Sequence, residues 1–236
     1  MGHPQTDIVI PVHNAGAELR ECVDTLRRHT TDYRLILVDD FSDEETESIC
    51  RQLTKEDKST LLIRSEKQRW FTRASNLGLR LVRTERSVLL NSDCVLDAGW
   101  LEELFAVWDE CQAQQPQRRI GLVGSTLSGE EPRRYAEIMK PGYVTGHCWL
   151  MSISAAFEAS ARRGQPGIYL DETKPGTAHI RSDVEFCWDL NVLGFATIAS
   201  FKSAVGHKGG RSWGFNLGAI SGLRVVDHLR GEIAVG

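Results

Sequence analysis

The first half of the chain alternates short apolar runs with segments whose apolar residues recur every three or four positions. Asp7–Pro11 is one such run, ending at a proline. Leu35–Val38, Leu61–Ile63, Val88–Leu90 and Ile120–Val123 repeat the pattern, and each reads as a buried strand. Between them, Leu19, Cys22, Val23 and Leu26 share one face of a helix predicted over Ala17–Arg28. Ile49 and Leu53 mark a second helix, and Ala74, Leu77, Leu81 and Val82 a third. Trp100, Leu101, Leu104, Phe105 and Trp108 give a fourth, over Ala98–Cys111, a broad apolar face. Ser42 with Glu45 forms a capping-box pattern for the second helix, and Asp97 stands where a cap of the fourth would. Strands alternating with helices predict an α/β fold, a Rossmann-like, mostly parallel sheet with helices on both faces.

Beyond Gly124 the pattern weakens. Ser125–Pro141 is polar and reads as a long loop. Tyr143–Ile153 is apolar again, with Ser154 placed to cap a helix over Ala155–Arg163. Gly164–His179 reads as a loop, and Ser182 with Glu185 opens a further helix through Phe186, Trp188, Leu190 and Leu193. Phe195–Ala199 is a last strand, followed by a glycine-rich stretch from His207 to Gly214. With no repeat or low-complexity linker, residues 1–236 read as a single domain. Its halves are about 7–123 and about 124–214, with a tail over 215–236.

Composition narrows the class. The 236 residues suffice for one well-buried α/β domain, and the formal charge, 28 − 32 = −4, argues against a generally basic nucleic-acid binder. Apolar runs are too short to cross a bilayer, and the N-terminal segment lacks the features of a signal peptide, so the expected compartment is the cytoplasm. Six cysteines without a CxxC pair are expected as reduced, mostly buried thiols.

In parallel sheets ligands bind beyond the carboxyl ends of the strands. Two of those ends are acidic here, Asp39-Asp40 and Asn91-Ser92-Asp93. Either alone reads as helix capping or a polar turn. Together they suit a site that holds hydroxyls, an imino group and a divalent cation, Mg²⁺ or Mn²⁺. There is no GxxxxGK[ST] or GxSxG, and Val12-His13-Asn14-Ala15-Gly16 stands where a GxGxxG would follow the first strand. His13, His147 and His179 have no partner at this level and read as structural or exposed, as do Trp149 and Trp188 as core. The pairs Arg118-Arg119, Arg133-Arg134 and Arg162-Arg163 read as solvated charge.

The segments IVIPVHNAGAELRECVDTLRRHT, LILVDDFSDEET, RASNLGLR, VLLNSDCVLDAGWLEEL, VTGHCWLMS, RSDVEFCWDLNVLGF and AVGHKGGRSWG together resemble the inverting glycosyltransferases of family 2, which have the GT-A fold. The likeness runs from about residue 7 to 214. It implies that Pro11, His13 and Asn14 line a nucleotide pocket, that Asp39 or Asp40 reads the base, and that Arg69 or Arg73 lies near the base or diphosphate. Asn91-x-Asp93 occupies the DxD position. Asp93 is then the expected metal ligand, with Asn91 and Ser92 on the donor side, and His207 completes the metal site. Asn91 departs from the motif, since an amide bonds a ribose hydroxyl but brings no charge. Asp183 matches the catalytic base, with Ser182 in place of the preceding acid and Glu185 in place of the following Asp. Lys208 and Arg211 would meet the diphosphate, and Trp213 would stack on a sugar face or close a lid.

The resemblance thus implies transfer of a sugar from a UDP- or dTDP-sugar to an acceptor hydroxyl, dependent on Mn²⁺ or Mg²⁺. Inversion needs a carboxylate to take the hydroxyl proton and positive charge on the departing diphosphate. The acceptor stays open: a glycan, a small molecule, a protein or a modified DNA base. Two rivals stand beside this reading, a non-catalytic sugar-nucleotide or glycan-binding module and a nucleotidyltransferase on a related fold.

Overall fold

The computed structural model describes residues 5–126, 134–139, 142–165, 169–170, 182–203, 205–208, 224–227 and 231–234. The elements are β1 (Thr6–Val12), α1 (Gly16–His29), β2 (Tyr33–Asp39), α2 (Glu44–Glu56), β3 (Leu61–Arg64), α3 (Trp70–Leu79), β4 (Arg86–Leu90), β5 (Cys94–Leu96), α4 (Trp100–Gln114), β6 (Arg119–Ser125), β7 (Tyr135–Ile138), β8 (Cys148–Ser152), α5 (Ile153–Arg162), α6 (Ser182–Val192), β9 (Phe195–Ser200), β10 (Val205–His207), β11 (Arg224–Asp227) and β12 (Gly231–Ala234).

Ten strands form one sheet in the order β12-β11-β7-β9-β6-β8-β4-β1-β2-β3, and β10 pairs with β5 in a small ribbon. Strands β3, β2, β1 and β4 run parallel. Beyond them the sheet is mixed: β8 is antiparallel to both β4 and β6, while β6 and β9 are parallel. The chain moves from β1 outward through β2 and β3, then returns to place β4 on the other side of β1. That reversal opens a crevice beyond the carboxyl ends of β1 and β4.

Alternation along the strands divides the core. Ile8, Ile10, Val12, Leu35 and Leu37 face α1, α2 and α4, whereas Val9, Ile36, Val38 and Leu89 face α3, α5 and α6. The second layer sits close to the sheet: a Cβ on Gly78 of α3 would lie 2.3 Å from Val9 Cγ1.

Several boundaries differ from expectation for local reasons. The cap of α2 is Asp43, not Ser42: Asp43 Oδ1 accepts from the Thr46 amide at 2.9 Å, while Ser42 is drawn into the crevice wall. The cap of α5 is Ser152, whose hydroxyl takes the Ala155 amide; Ser154 instead bonds Glu85. The fourth helix is capped by Gly99 in the left-handed region (φ 83) without a side-chain cap, so Asp97 does not serve. Helix α3 stops at Leu79, leaving Leu81 41% exposed and Val82 outside it. Within the expected loop Ser125–Pro141, Tyr135–Ile138 forms β7 against β9. Five of the six cysteines are buried and Cys111 is half-buried. Among the described residues no helix is long and apolar enough to cross a membrane.

The arginine pairs are met by acids. Arg118 bonds Glu137, Arg119 bonds Glu158, Arg134 bonds Glu103 and Glu110, and Arg162 and Arg163 share Asp189. Arg133 lies outside the described residues.

Candidate active site

The wall of the crevice at β1 and β2 is built from backbone amides gathered by side chains. Pro11 is buried near the end of β1, and the Val12 carbonyl accepts the Asp40 amide at 2.8 Å. His13 Nδ1 donates to the Asp40 carbonyl at 2.9 Å, which leaves Nε2 to accept from Asn14 Nδ2 at 3.3 Å. Asn14 gives its amide to Ser42 Oγ, and its side-chain oxygen takes the Asp43 amide.

Asp39 and Asp40, one of which is expected to read the base, are both fully buried and already engaged. Asp39 accepts from the Ser42 amide and pairs with Arg64, which also bonds Glu47. Asp40 accepts from the amides of Arg69 and Trp70, each at 2.7 Å. Burial pushes the Asp40 carboxyl above its usual range, and the two amides oppose that shift. Arg69 precedes α3, with its Nε buried and unpartnered among the described residues, whereas Arg73 is exposed on the helix.

Across the switch point, β4 delivers Asn91, Ser92 and Asp93. The Asn91 amide donates to the His147 carbonyl at 2.9 Å, tying this turn to the start of β8. Ser92 and Asp93 are buried. The β5–β10 ribbon, with His207 opposite Cys94, brings His207 Nε2 to 3.0 Å from Asp93 Oδ1 and 3.2 Å from Asn91 Nδ2. Lys208 gives its amide to the Asp93 carbonyl, and its side chain pairs with Glu21. Arg211 and Trp213 lie outside the described residues.

The Asp93 carboxylate and His207 Nε2 therefore meet, and Asn91 reaches them through Nδ2, with its side-chain oxygen buried and without a hydrogen-bond partner among the described residues. Among those residues no group of three His, Cys, Asp or Glu is placed to hold a metal. A carboxylate and an imidazole nitrogen held together next to a residue with an orphaned buried oxygen fit a divalent cation.

His147, which reads from sequence as structural or exposed, is buried against this cluster. Its ring stacks on His207, its Nε2 lies 2.7 Å from Ser125 Oγ and its Nδ1 3.0 Å from Thr145 Oγ1. Burial, and next the adjacent His207, push it down to about 3, so it is neutral. No local spacing marks it out, because its partners come from β6 and β10.

Asp183 sits in the first turn of α6. Its carboxylate accepts from the amide of Val184 at 2.9 Å and from that of Gly146. Burial nevertheless pushes it up to about 6. A Cβ on Gly146 would stand 3.3 Å from Asp183 Cβ, so a larger residue there would press Asp183 aside by a few tenths of an ångström. Trp149, whose indole donates to the Val144 carbonyl, is core as expected.

The sheet and the crevice at its switch point define a GT-A glycosyltransferase fold. Its solved neighbours include a mannosyltransferase from Pyrobaculum calidifontis in complex with GDP-Man and Mn²⁺ (TM-score 0.65, 15% identity, 89% of this chain and 59% of that one) and Staphylococcus aureus TarS 1-349 (TM-score 0.63, 14% identity, 85% and 59%). Residues 7–156 match the glycosyl transferase family 2 model, and the chain belongs to that family. Curated relatives include the glycosyltransferase GlyG of Streptococcus pneumoniae, 27% identical over 99 residues, and AglE of Haloferax volcanii, 29% identical over 103. Each alignment covers 42% of this chain and about a third of the relative's length.

Proposed function

We propose that the chain transfers a sugar, with inversion, from a nucleoside-diphosphate sugar to an acceptor hydroxyl. The observation that carries this reading is Asp183, raised to about 6 and bonded by Gly146, one residue from the His147 that packs on the Asp93–His207 cluster. A carboxylate titrating there is deprotonated at neutral pH yet basic enough to accept a proton.

The acceptor hydroxyl would lie against Asp183, which takes its proton as the oxygen forms the bond to the anomeric carbon. The bond from that carbon to the diphosphate breaks on the opposite face, which inverts the configuration. Asp93 and His207, with Asn91 beside them, would hold Mn²⁺ or Mg²⁺, and that ion would supply positive charge to the leaving diphosphate. Lys208 and Arg211 would meet the same phosphates, with Ser92 and Trp213 alongside the donor. His13, Asn14 and Arg69 would line the nucleoside side, above the turns that Asp39 and Asp40 hold rigid. UDP- and dTDP-sugars are the first donors to try, and the neighbour bound to GDP-Man adds guanosine donors. A cytoplasmic location suits such donors.

The test is incubation with Mn²⁺ and a panel of UDP-, dTDP- and GDP-sugars. Release of the nucleoside diphosphate, with an anomer opposite to the donor's by NMR, supports the enzyme. Binding of a donor with no release, with or without candidate acceptors, supports the non-catalytic module instead.

A further inference from the structure

Cys22 of α1 and Cys94, the first residue of β5, are fully buried, yet each aims its thiol at a backbone carbonyl of the candidate cation site. Cys94 Sγ donates to the His147 carbonyl at 3.3 Å, and Cys22 Sγ donates to the Asn91 carbonyl at 3.6 Å. Each carbonyl also accepts one amide, His147 from Asn91 at 2.9 Å and Asn91 from Cys94 at 3.3 Å. A carbonyl oxygen carries two lone pairs, so amide and thiol together occupy both.

Cys94 is where three segments meet. Its amide closes the Asn91–Asp93 turn on the Asn91 carbonyl, and its thiol ties that turn to the lead-in of β8. Its backbone lies opposite His207 in the β5–β10 ribbon. Asp93, which precedes Cys94, and His207, which faces it, are the two groups whose side chains approach to 3.0 Å. His147, whose carbonyl takes the thiol, stacks its ring on His207. Helix α1 adds a fourth segment: beside the Cys22 contact to Asn91, Thr25 Oγ1 accepts the Leu96 amide at 3.2 Å. Inward-facing side chains of α1 thus hold both ends of the stretch from 91 to 96.

A cysteine that serves only as a small apolar side chain needs no acceptor for its S–H. We infer that Cys94, assisted by Cys22, is a positioning residue for the cation. Its thiol fixes the spacing between the turn that carries Asp93, the lead-in that carries His147 and the strand that carries His207. The inference rests on the cation site proposed above. The thiols act on the ion only through the groups they hold, and such outer contacts commonly govern metal affinity by about tenfold or more.

The experiment measures Mn²⁺ binding, without donor, by the free-ion EPR signal for the wild-type chain, Cys94→Ala, Cys94→Ser, Cys22→Ala and Cys50→Ala. Nitrogen modulation in the pulsed EPR of bound Mn²⁺ reports the His207 imidazole. Cys94→Ala should weaken Mn²⁺ by about tenfold and lose most of that modulation. Cys94→Ser, alike in volume to alanine but with a hydroxyl to donate, should recover most of both. Cys22→Ala should weaken Mn²⁺ by about threefold, and it carries the test if Cys94→Ala does not fold. Cys50→Ala opens a comparable cavity in α2, where the residue is also fully buried. It should lower the thermal midpoint yet leave Mn²⁺ affinity within about twofold. Wild-type affinity in both Cys94→Ala and Cys22→Ala overturns the positioning role. So does a loss in Cys94→Ser or Cys50→Ala equal to that in Cys94→Ala, since a cavity would then account for it. These results leave the proposed transfer standing. If the wild-type chain binds no Mn²⁺, the cation site falls and the role of Cys94 with it, while nucleoside diphosphate release without added metal still decides the transfer.

Discussion

The imidazole of His147 stacks on that of His207 with ring centroids 5.1 Å apart, although the two residues are 207 − 147 = 60 positions apart in the chain. His147 is itself fixed by Ser125 and Thr145, so His207 rests on a ring that does not swing. Neighbours that orient a ligand matter to metal affinity nearly as much as the ligands do. His147→Ala should therefore weaken Mn²⁺ binding about tenfold, read by the free-Mn²⁺ EPR signal without donor present. His147→Phe, which keeps a ring face, should lose less. Both variants leave two hydroxyls short of a partner, costing about 1–2 kcal/mol in unfolding free energy. Equal Mn²⁺ affinity in all three proteins would remove His147 from any role in the cation site.

Asn91 places an uncharged amide beside the cluster, with Nδ2 3.2 Å from His207 Nε2. Asn91→Asp adds a second carboxylate next to Asp93 and should tighten Mn²⁺ by roughly tenfold, since like charges held together favour a cation. Without metal, the same repulsion should lower thermal stability, and adding Mn²⁺ should restore it. If the variant binds Mn²⁺ no better than wild type, the Asn91 oxygen is turned toward a ribose hydroxyl and not toward the ion.

Asp183 ties activity and stability to pH in opposite directions. As a base it must be ionised, so turnover should fall on the acid side of about pH 6, approaching tenfold per unit. Its carboxyl titrates higher in the folded chain than the ordinary 3.8, so the folded state binds the proton more tightly. The resulting destabilisation is full above about pH 6 and fades as pH falls toward 4. Asp183→Asn should accordingly lower turnover by orders of magnitude yet raise stability at pH 7.5 by about 2 kcal/mol, with the gain shrinking at pH 5. Thermal melts at the two pH values and donor turnover check both halves. Retained turnover would disqualify Asp183 as the base.

Gly78 tests the closeness of helix and sheet. With Val9 Cγ1 only 2.3 Å from the place of a new Cβ, Gly78→Ala should cost about 1–3 kcal/mol, measured by chemical denaturation. A neutral result would mean that α3 can slide away from β1.

Strands β1, β2, β4 and β6 are legible in sequence because burial on both faces makes them continuous apolar runs. Ribbon strands β5 and β10 are not, being three residues each with one side partly exposed. Strand β7 hides for a similar reason, since its four residues include Tyr135 and Glu137, whose polar atoms bond groups on other elements. Capping motifs mislead by a residue or two where a hydroxyl has a better partner in three dimensions, as Ser42 has in the Asn14 amide. Among the site residues, the clustering of acids at strand ends was visible locally. The nearness of Asp93 to His207 was carried only by family likeness, and the stacking of His147 by neither, because it depends on how β8 and the ribbon meet.

Strand β8 runs against its neighbours, so it begins where β4 and β6 end. Its lead-in, Thr145 to His147, thereby touches both the acid of α6, through the Gly146 amide, and the imidazole of β10, through the His147 ring. Asp183 and His207 are thereby both referenced to one short segment, Gly146 and His147, so a shift of β8 would carry the proposed base and the proposed metal ligand together.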